Sequence, residues 1–354
     1  MQIVENCQGL PLAVVVIAGV LANETHNEEF WVEIATKTSS YIFGDQNGCR
    51  ETLGLSYNHL PLHLRECFLY LGGFPKDYEF QVQRLIWLWV AEGFIQEDGN
   101  RSLEDTAEGY LMDLIDRNLV IVAHKSEHDG AADVCKIHEL VRELCLRKSK
   151  EERFILLTEP LIPSPQFSDV ITQPYKPVRM FINKDINILG FPYSPAQNRQ
   201  SIVCFSDFRS LSDVIANGFH SFELLSVLDL QNCRLNDFPK RIELLVHLRY
   251  LAIWKESEGF PLSICNLWGL QTLIYIAYRR MTVLPSNISD LVNLRHLLGT
   301  PWSRYSKAYF LLPSIERPMN LQTVSDVRLG EGVHNFQKCF PYVKELTCGT
   351  CLLR

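Results

Sequence analysis

The residues whose spacing most suggests chemistry are Cys348-Gly349-Thr350-Cys351, a C-x-x-C of the kind found in zinc and redox sites. No second pair follows, and Cys348 falls on the third apolar position of a rung begun by Val343 and Leu346. The motif therefore reads as repeat core and chain end, and no metal is expected. The 10 histidines are dispersed, without H-E-x-x-H or G-x-S-x-G, and the acidic residues form no paired acid-base set. There is no Gly-Lys pair, so the G-x-x-x-x-G-K-[ST] loop that cradles phosphates is missing. Nucleotide hydrolysis by this chain alone is not expected, and the chain reads as a non-enzyme built for recognition.

The elements that would present a recognition surface are written in the leucines. Leu225, Leu248, Leu270, Leu294, Leu321 and Val343 open successive units 23, 22, 24, 27 and 22 residues apart. Each unit reads roughly L-x-x-L-x-L, and apolar-proline pairs follow at Phe238-Pro239, Phe260-Pro261, Leu284-Pro285 and Leu312-Pro313. This period predicts a leucine-rich-repeat solenoid, in which one unit cannot bury its own apolar face and only the array is stable. Val178 to Ile202 repeats the spacing, so the first, degenerate repeats begin near 178. Strand alternation turns Val227 and Asp229, Tyr250 and Ala252, Thr272 and Ile274, His296 and Leu298, Thr323 and Ser325, and Glu345 and Thr347 away from the leucine core. Their mixture of aromatic, apolar and sparsely charged side chains suits contact with protein.

The bulk numbers agree. A chain of 354 residues with 47% apolar composition has material for several cores. Its net charge of −7 disfavours a partner bound by phosphate neutralisation, so no nucleic acid is expected. Eleven scattered cysteines and a start without a signal core point to reduced thiols and a cytoplasmic protein. The longest apolar stretch, Leu10 to Ala22, is broken by Pro11 and Gly19 and is too short to span a bilayer.

Upstream of the repeats, residues 1 to about 60 read as helical, with Gly9 closing one helix and Pro11 opening the next, and further helices near 28–38 and 49–58. From Pro61 the predicted order is helix (62–71), helix (81–92), helix (103–117), strand (119–123), a loop holding Asp129-Gly130, strand (133–137) and helix (138–147). That is winged-helix order. The second helix carries Leu85-Ile86-Trp87-Leu88-Trp89-Val90-Ala91, apolar nearly all round, so it is expected to be buried rather than to read a DNA groove. Phe74, Tyr78, Trp87 and Trp89 read as core aromatics. Prolines at 160, 163, 165, 174 and 177 mark a linker after a short apolar strand at Phe154–Leu157.

Three blocks in this order carry a resemblance. Gly9-Leu10-Pro11-Leu12-Ala13, Cys67-Phe68-Leu69-Tyr70-Leu71-Gly72-Gly73-Phe74-Pro75-Lys76-Asp77-Tyr78 and Lys136-Ile137-His138-Glu139-Leu140, followed by Leu248-Arg249-Tyr250-Leu251 and the repeats, resemble the C-terminal part of plant NB-ARC leucine-rich-repeat disease resistance proteins. The likeness is to the coiled-coil type and nearest to the late blight resistance proteins of the nightshade family.

The resemblance implies an α-helical subdomain at the end of NB-ARC (1–60), a winged-helix subdomain (61–150), a linker (151–177) and an α/β leucine-rich-repeat solenoid (178–354). It implies an immune receptor fragment whose repeats sense a pathogen effector or guarded host protein and restrain the winged helix through intramolecular NB-ARC contacts. Release in a complete receptor would permit ADP-to-ATP exchange, oligomerisation and hypersensitive cell death. Peripheral membrane association is an alternative to a purely cytoplasmic location. By motif, Pro11 would lie near the adenine and His138 near the ADP phosphate, at a helix start whose amides and dipole favour an anion. Glu139 departs from the family aspartate, which is expected to cap the helix better. ADP/ATP is expected in a full-length parent, with none held tightly by this chain, which reads as truncated. Two rival readings are an ATPase switch completed by an upstream phosphate-loop domain, and a substrate adaptor of a ubiquitin ligase.

Overall fold

A computed structural model describes residues 11–22, 32, 53–127, 129–158, 178–183, 199–205, 224–235, 238, 242–255, 259–277, 281–301, 309–312, 317–329, 336–348 and 351–353. The expected helix at 28–38 and the proline-rich stretch 160–177 lie outside the described residues, apart from Val32. The chain divides into two compact units, Met1–Ile155 and Leu156–Arg354.

The first unit contains α1 (Pro11–Ala22), a helical stretch at 53–58, α2 (Leu62–Leu71), β1 (Phe80–Gln81), α3 (Val82–Glu92), α4 (Leu103–Asp116), β2 (Ile121–Lys125), β3 (Ala132–Lys136) and α5 (Glu139–Glu152). β2 and β3 form the expected wing. They run antiparallel with a bulge near His124, and Gly130 takes a left-handed turn at φ 71° between them. β1 was not expected from the sequence. Its two residues pair with Val134 and Cys135 and complete a three-stranded sheet.

Every residue of α3 except Gln83 is buried, so the all-round apolar helix has no face with which to read a duplex. It stops at Gly93, whose φ of 82° lets Phe94 N–H reach the Trp89 carbonyl. α4 starts at Ser102, whose hydroxyl accepts from Asp105 N–H at 3.1 Å. Two glycines allow close helix approach. A Cβ on Gly72 would stand 2.7 Å from Cys145 Cβ, where α2 meets α5, and one on Gly19 would stand 2.5 Å from the Arg117 carbonyl oxygen. Asn118 Nδ2 also donates to the Val15 carbonyl at 3.1 Å, tying α1 to the end of α4.

The second unit is the solenoid. A ten-stranded sheet runs β4 (Ile155–Thr158), β5 (Val178–Ile182), β6 (Arg199–Cys204), β7 (Val227–Leu235), β8 (Tyr250–Lys255), β9 (Thr272–Ala277), β11 (His296–Pro301), β13 (Thr323–Ser325), β15 (Glu345–Cys348) and β16 (Cys351–Leu353). The pairs from β5 to β15 are parallel, as one strand per repeat requires, and β16 folds back antiparallel with Cys348 opposite Cys351. β4 is the short apolar strand expected at Phe154–Leu157, and it takes the edge of this sheet. On the other side, β10 (Met281–Val283), β12 (Tyr309–Leu312) and β14 (Val327–Leu329) form a second parallel sheet, accompanied by short 3-10 turns at Ile242–Leu244, Leu262–Asn266 and Ile288–Asp290 and by α6 (Phe336–Cys339).

The rung leucines fill the space between the two sides. Leu225, Leu248, Leu270, Leu294 and Leu321 belong to one core with Leu228, Leu251, Leu273, Leu297 and Val324, all essentially closed to solvent. Phe238, Phe260 and Tyr275 join it as an aromatic cluster with ring centroids 4.6 and 5.2 Å apart along the chain of contacts. At the turn into each strand, Asn293 Nδ2 donates to the Trp268 carbonyl at 2.7 Å and Asn320 Nδ2 to the Val292 carbonyl at 3.0 Å. Gly269 occupies the same position one repeat earlier, where a Cβ would lie 3.5 Å from the Val246 carbonyl oxygen.

Replacing Gly269 with asparagine should therefore add the missing amide bond and reduce unfolded-chain entropy. The melting temperature, read by scanning calorimetry, should rise by about 2–4 °C. A second expectation concerns alkaline pH. Burial, aided by neighbouring Asp133 and Asp290 respectively, pushes the Cys135 thiol up to about 11 and the Cys265 thiol up to about 12. Burial likewise raises Cys67 and Cys145. Because these folded values exceed the ordinary 9.0, their stabilising contribution is complete below that value and is lost as pH rises toward the folded ones. The urea midpoint should fall steadily between pH 9 and 11, with the thiols inert to alkylation at pH 8 until the chain unfolds.

Candidate functional site

His138 occupies the turn between wing and α5 and is itself the helix cap: its Nδ1 accepts from Leu140 N–H at 3.2 Å. The ring is exposed. With Nδ1 used as an acceptor, the neutral imidazole carries its proton on Nε2, which leaves an N–H donor on the side away from the helix. A positive helix end and an N–H donor on an exposed ring together suit an anion.

Glu139, expected to cap less well than the family aspartate, is not the cap. It is the first residue inside the helix, and a carboxylate there turns along the helix, with Oε1 3.8 Å from the Arg142 guanidinium. Arg142 Nε in turn donates to the Phe74 carbonyl at 2.7 Å. The start of α5 is thereby fastened to the Phe74–Tyr78 turn. There Tyr78 stacks on Phe74 with centroids 5.5 Å apart, and its hydroxyl accepts from Arg84 at 2.9 Å. Phe74, Trp87 and Trp89 are buried as expected, and Tyr78 is half-buried. Pro11 is the first residue of α1, as a proline with no amide to donate should be, and the surroundings of its side chain lie outside the described residues.

On the solenoid, Val227, Tyr250, Thr272, His296, Thr323 and Glu345 stand in one continuous register across six strands. Asp229, Ala252, Ile274, Leu298, Ser325 and Thr347 form the next column. They face away from the leucine core, as alternation requires. Their expected exposure is not what the structure has. Tyr250 and Ala252 are 0% exposed, Thr272, Ile274 and His296 are buried, and Thr323 is 8% exposed. Only Leu298 and Glu345 among the expected contact residues are half-buried.

The physical reason lies in the register. Strands about 4.8 Å apart set each side chain against its counterparts on both sides. The polar groups satisfy one another there: Tyr250 hydroxyl donates to Asp229 Oδ2 at 3.1 Å, His296 Nδ1 lies 3.3 Å from Thr323 Oγ1, and Ser325 Oγ accepts from Gly299 N–H at 3.1 Å. Burial is deepest at the early strands and relaxes toward Glu345, so this face is closed for much of its length.

Open apolar surface lies elsewhere. Val246, Trp268 and Val292, each two residues before a rung leucine, are 55%, 71% and 55% exposed. Reading the residues ahead of each L-x-x-L-x-L unit would have found them. Among the described residues, no three His, Cys, Asp or Glu side chains are grouped to hold a metal ion, and no helix is long and apolar enough to cross a membrane.

Comparison with known proteins follows the two units. Residues 74–145 match the disease resistance protein winged helix domain, and residues 200–347 match a leucine-rich repeat region. Late blight resistance protein R1-A of Solanum demissum is 34% identical over 98% of this chain and 28% of its own length. The putative late blight resistance protein homologues R1B-16 and R1B-14 of the same plant are 33% and 34% identical, each over 92% of this chain. The chain spans about a quarter of the length of these relatives, at 28%, 25% and 24%. A leucine-rich-repeat protein structure from Leptospira interrogans aligns over 55% of this chain and 65% of its own, at 16% identity and a TM-score of 0.27. With a disease-resistance winged helix followed by leucine-rich repeats, and this likeness along almost its entire length, the chain belongs to the plant disease resistance proteins of the late blight resistance type.

Proposed function

We propose that the chain is the regulatory and sensing part of a cytoplasmic plant immune receptor. In this reading the winged helix contributes one wall of an ADP/ATP site, and the repeats recognise an effector or guarded host protein. ADP bound to a complete receptor holds the closed arrangement, and partner binding shifts the population toward an open one that exchanges nucleotide, oligomerises and triggers cell death. The chain itself acts as a receptor segment and not as an enzyme.

The observation that carries the nucleotide part is His138. Its Nδ1 is committed to the α5 cap, its Nε2 hydrogen is directed outward, and α5 is braced through Arg142 to Phe74. A phosphate approaching the helix start would meet a fixed donor at the positive end of a dipole. Pro11 would contact the adenine at the start of α1. The remaining phosphate contacts would come from an upstream domain, so this chain alone holds ADP weakly.

Two substitutions separate the structural role of His138 from the nucleotide role. His138→Ala removes the cap and should lower the stability of the first unit by about 0.5–2 kcal/mol in urea titration, whereas His138→Asn should keep it near wild type. In a complete receptor containing this segment, both variants should release ADP faster and raise spontaneous cell death. Unchanged ADP release in both would remove His138 from the site. Tight ADP binding to the present chain by calorimetry, abolished by His138→Ala, would overturn the view that its half-site is insufficient.

A further inference from the structure

The solenoid edge where the chain enters the strands carries two aligned columns that the closed sheet face does not include. The first is Val246, Trp268 and Val292, exposed by 55%, 71% and 55%. The backbones of the last two are held by the turns, because Asn293 bonds the Trp268 carbonyl and Asn320 the Val292 carbonyl. The second column is the residue after each rung leucine: Arg249, Gln271, Arg295, Gln322 and Lys344. A continuous run of backbone bonds stacks it, from Gln271 N–H to Arg249 O, Arg295 to Gln271, Gln322 to Arg295 and Lys344 to Gln322, at 2.7 to 2.8 Å. Arg249 and Lys344 are exposed and Arg295 is half-buried. The column holds three cations and no acid, in a chain whose net charge is −7. Glu243 and Asp290, the acids nearest in sequence to the apolar column, sit on the preceding 3-10 turns, at least four residues before a rung leucine.

Three exposed apolar groups at fixed spacing are a poor arrangement for water and a good one for a partner. The spacing selects the partner. Successive rungs are about 4.8 Å apart, so the apolar column spans about 9.6 Å. Two turns of an α-helix cover about 10.8 Å, and residues i, i+4 and i+7 share one face. A helix laid along the solenoid axis would set three apolar side chains on Val246, Trp268 and Val292, and its flank beside the second column would meet the exposed Arg249. We infer that this edge docks an acidic amphipathic helix of a partner protein, by an apolar stripe flanked by glutamates. The inference rests on the receptor reading and specifies where and by what chemistry its repeats take hold.

The probe is a fluorescein-labelled synthetic helix with leucines at i, i+4 and i+7 and glutamates on one flank, titrated by anisotropy against the full chain. Its counterpart carries lysine in place of glutamate. The glutamate peptide should bind at least tenfold more tightly, equivalent to about 1.4 kcal/mol, and should weaken as salt is raised. Trp268→Ala should cost at least tenfold in affinity, and Arg249→Glu should shift preference toward the lysine peptide. The melting temperatures of both variants should stay unchanged, because both side chains are exposed. Equal binding of the two peptides, an inert Trp268→Ala, or preference for anionic phosphatidylserine vesicles over the peptide would overturn the assignment. Its failure is distinguishable from failure of the receptor reading. If only the edge assignment fails, a complete receptor still triggers cell death and Trp268→Ala does not alter it; if the receptor reading fails, neither form triggers cell death.

Discussion

The solenoid depends on parallel register. Backbone amides after each rung leucine bond the carbonyl of the preceding rung at 2.7 to 2.8 Å from Gln200 to Lys344, through Ser226, Arg249, Gln271, Arg295 and Gln322. A slip of one residue would exchange the core and opposite faces of every strand, placing Asp229 and Lys344 where leucines belong. The register therefore fixes three surfaces at once: the leucine core, the self-satisfied opposite face of Tyr250, Asp229 and His296, and the open edge of Val246 and Trp268.

The winged-helix unit solves a different problem, that of satisfying the ends of its helices. Ser102 caps α4 by the common hydroxyl route. His138 caps α5 with a ring nitrogen, which spends one side of the imidazole on structure while the ring stays exposed. Close helix contacts at Gly19 and Gly72 keep the surrounding frame tight, since neither position has room for even a methyl group.

Much of this was legible in the chain because each feature had a period. The 22 to 27-residue leucine spacing gave the rungs, and seven consecutive apolar residues in α3 gave a helix without a polar face. β1 was missed because two residues carry no period, and its pairing with Val134 and Cys135 is a tertiary event. Alternation correctly set Tyr250 and His296 opposite the core, but it states only a direction. Their burial comes from neighbours that arrive from distant repeats. The cap bond of His138 was not foreseen because histidine is an uncommon cap and its ring nitrogen carries no sequence signature for that role.

The repeat lengths carry a last consequence. The step from Leu294 to Leu321 is the longest, at 27 residues, yet His296 and Thr323 remain direct partners. Within this step β12 pairs with β10 and β14 in the second sheet. A longer repeat thus leaves the aligned columns in register. A lineage of such chains can lengthen a repeat and still change a single aligned column one side chain at a time.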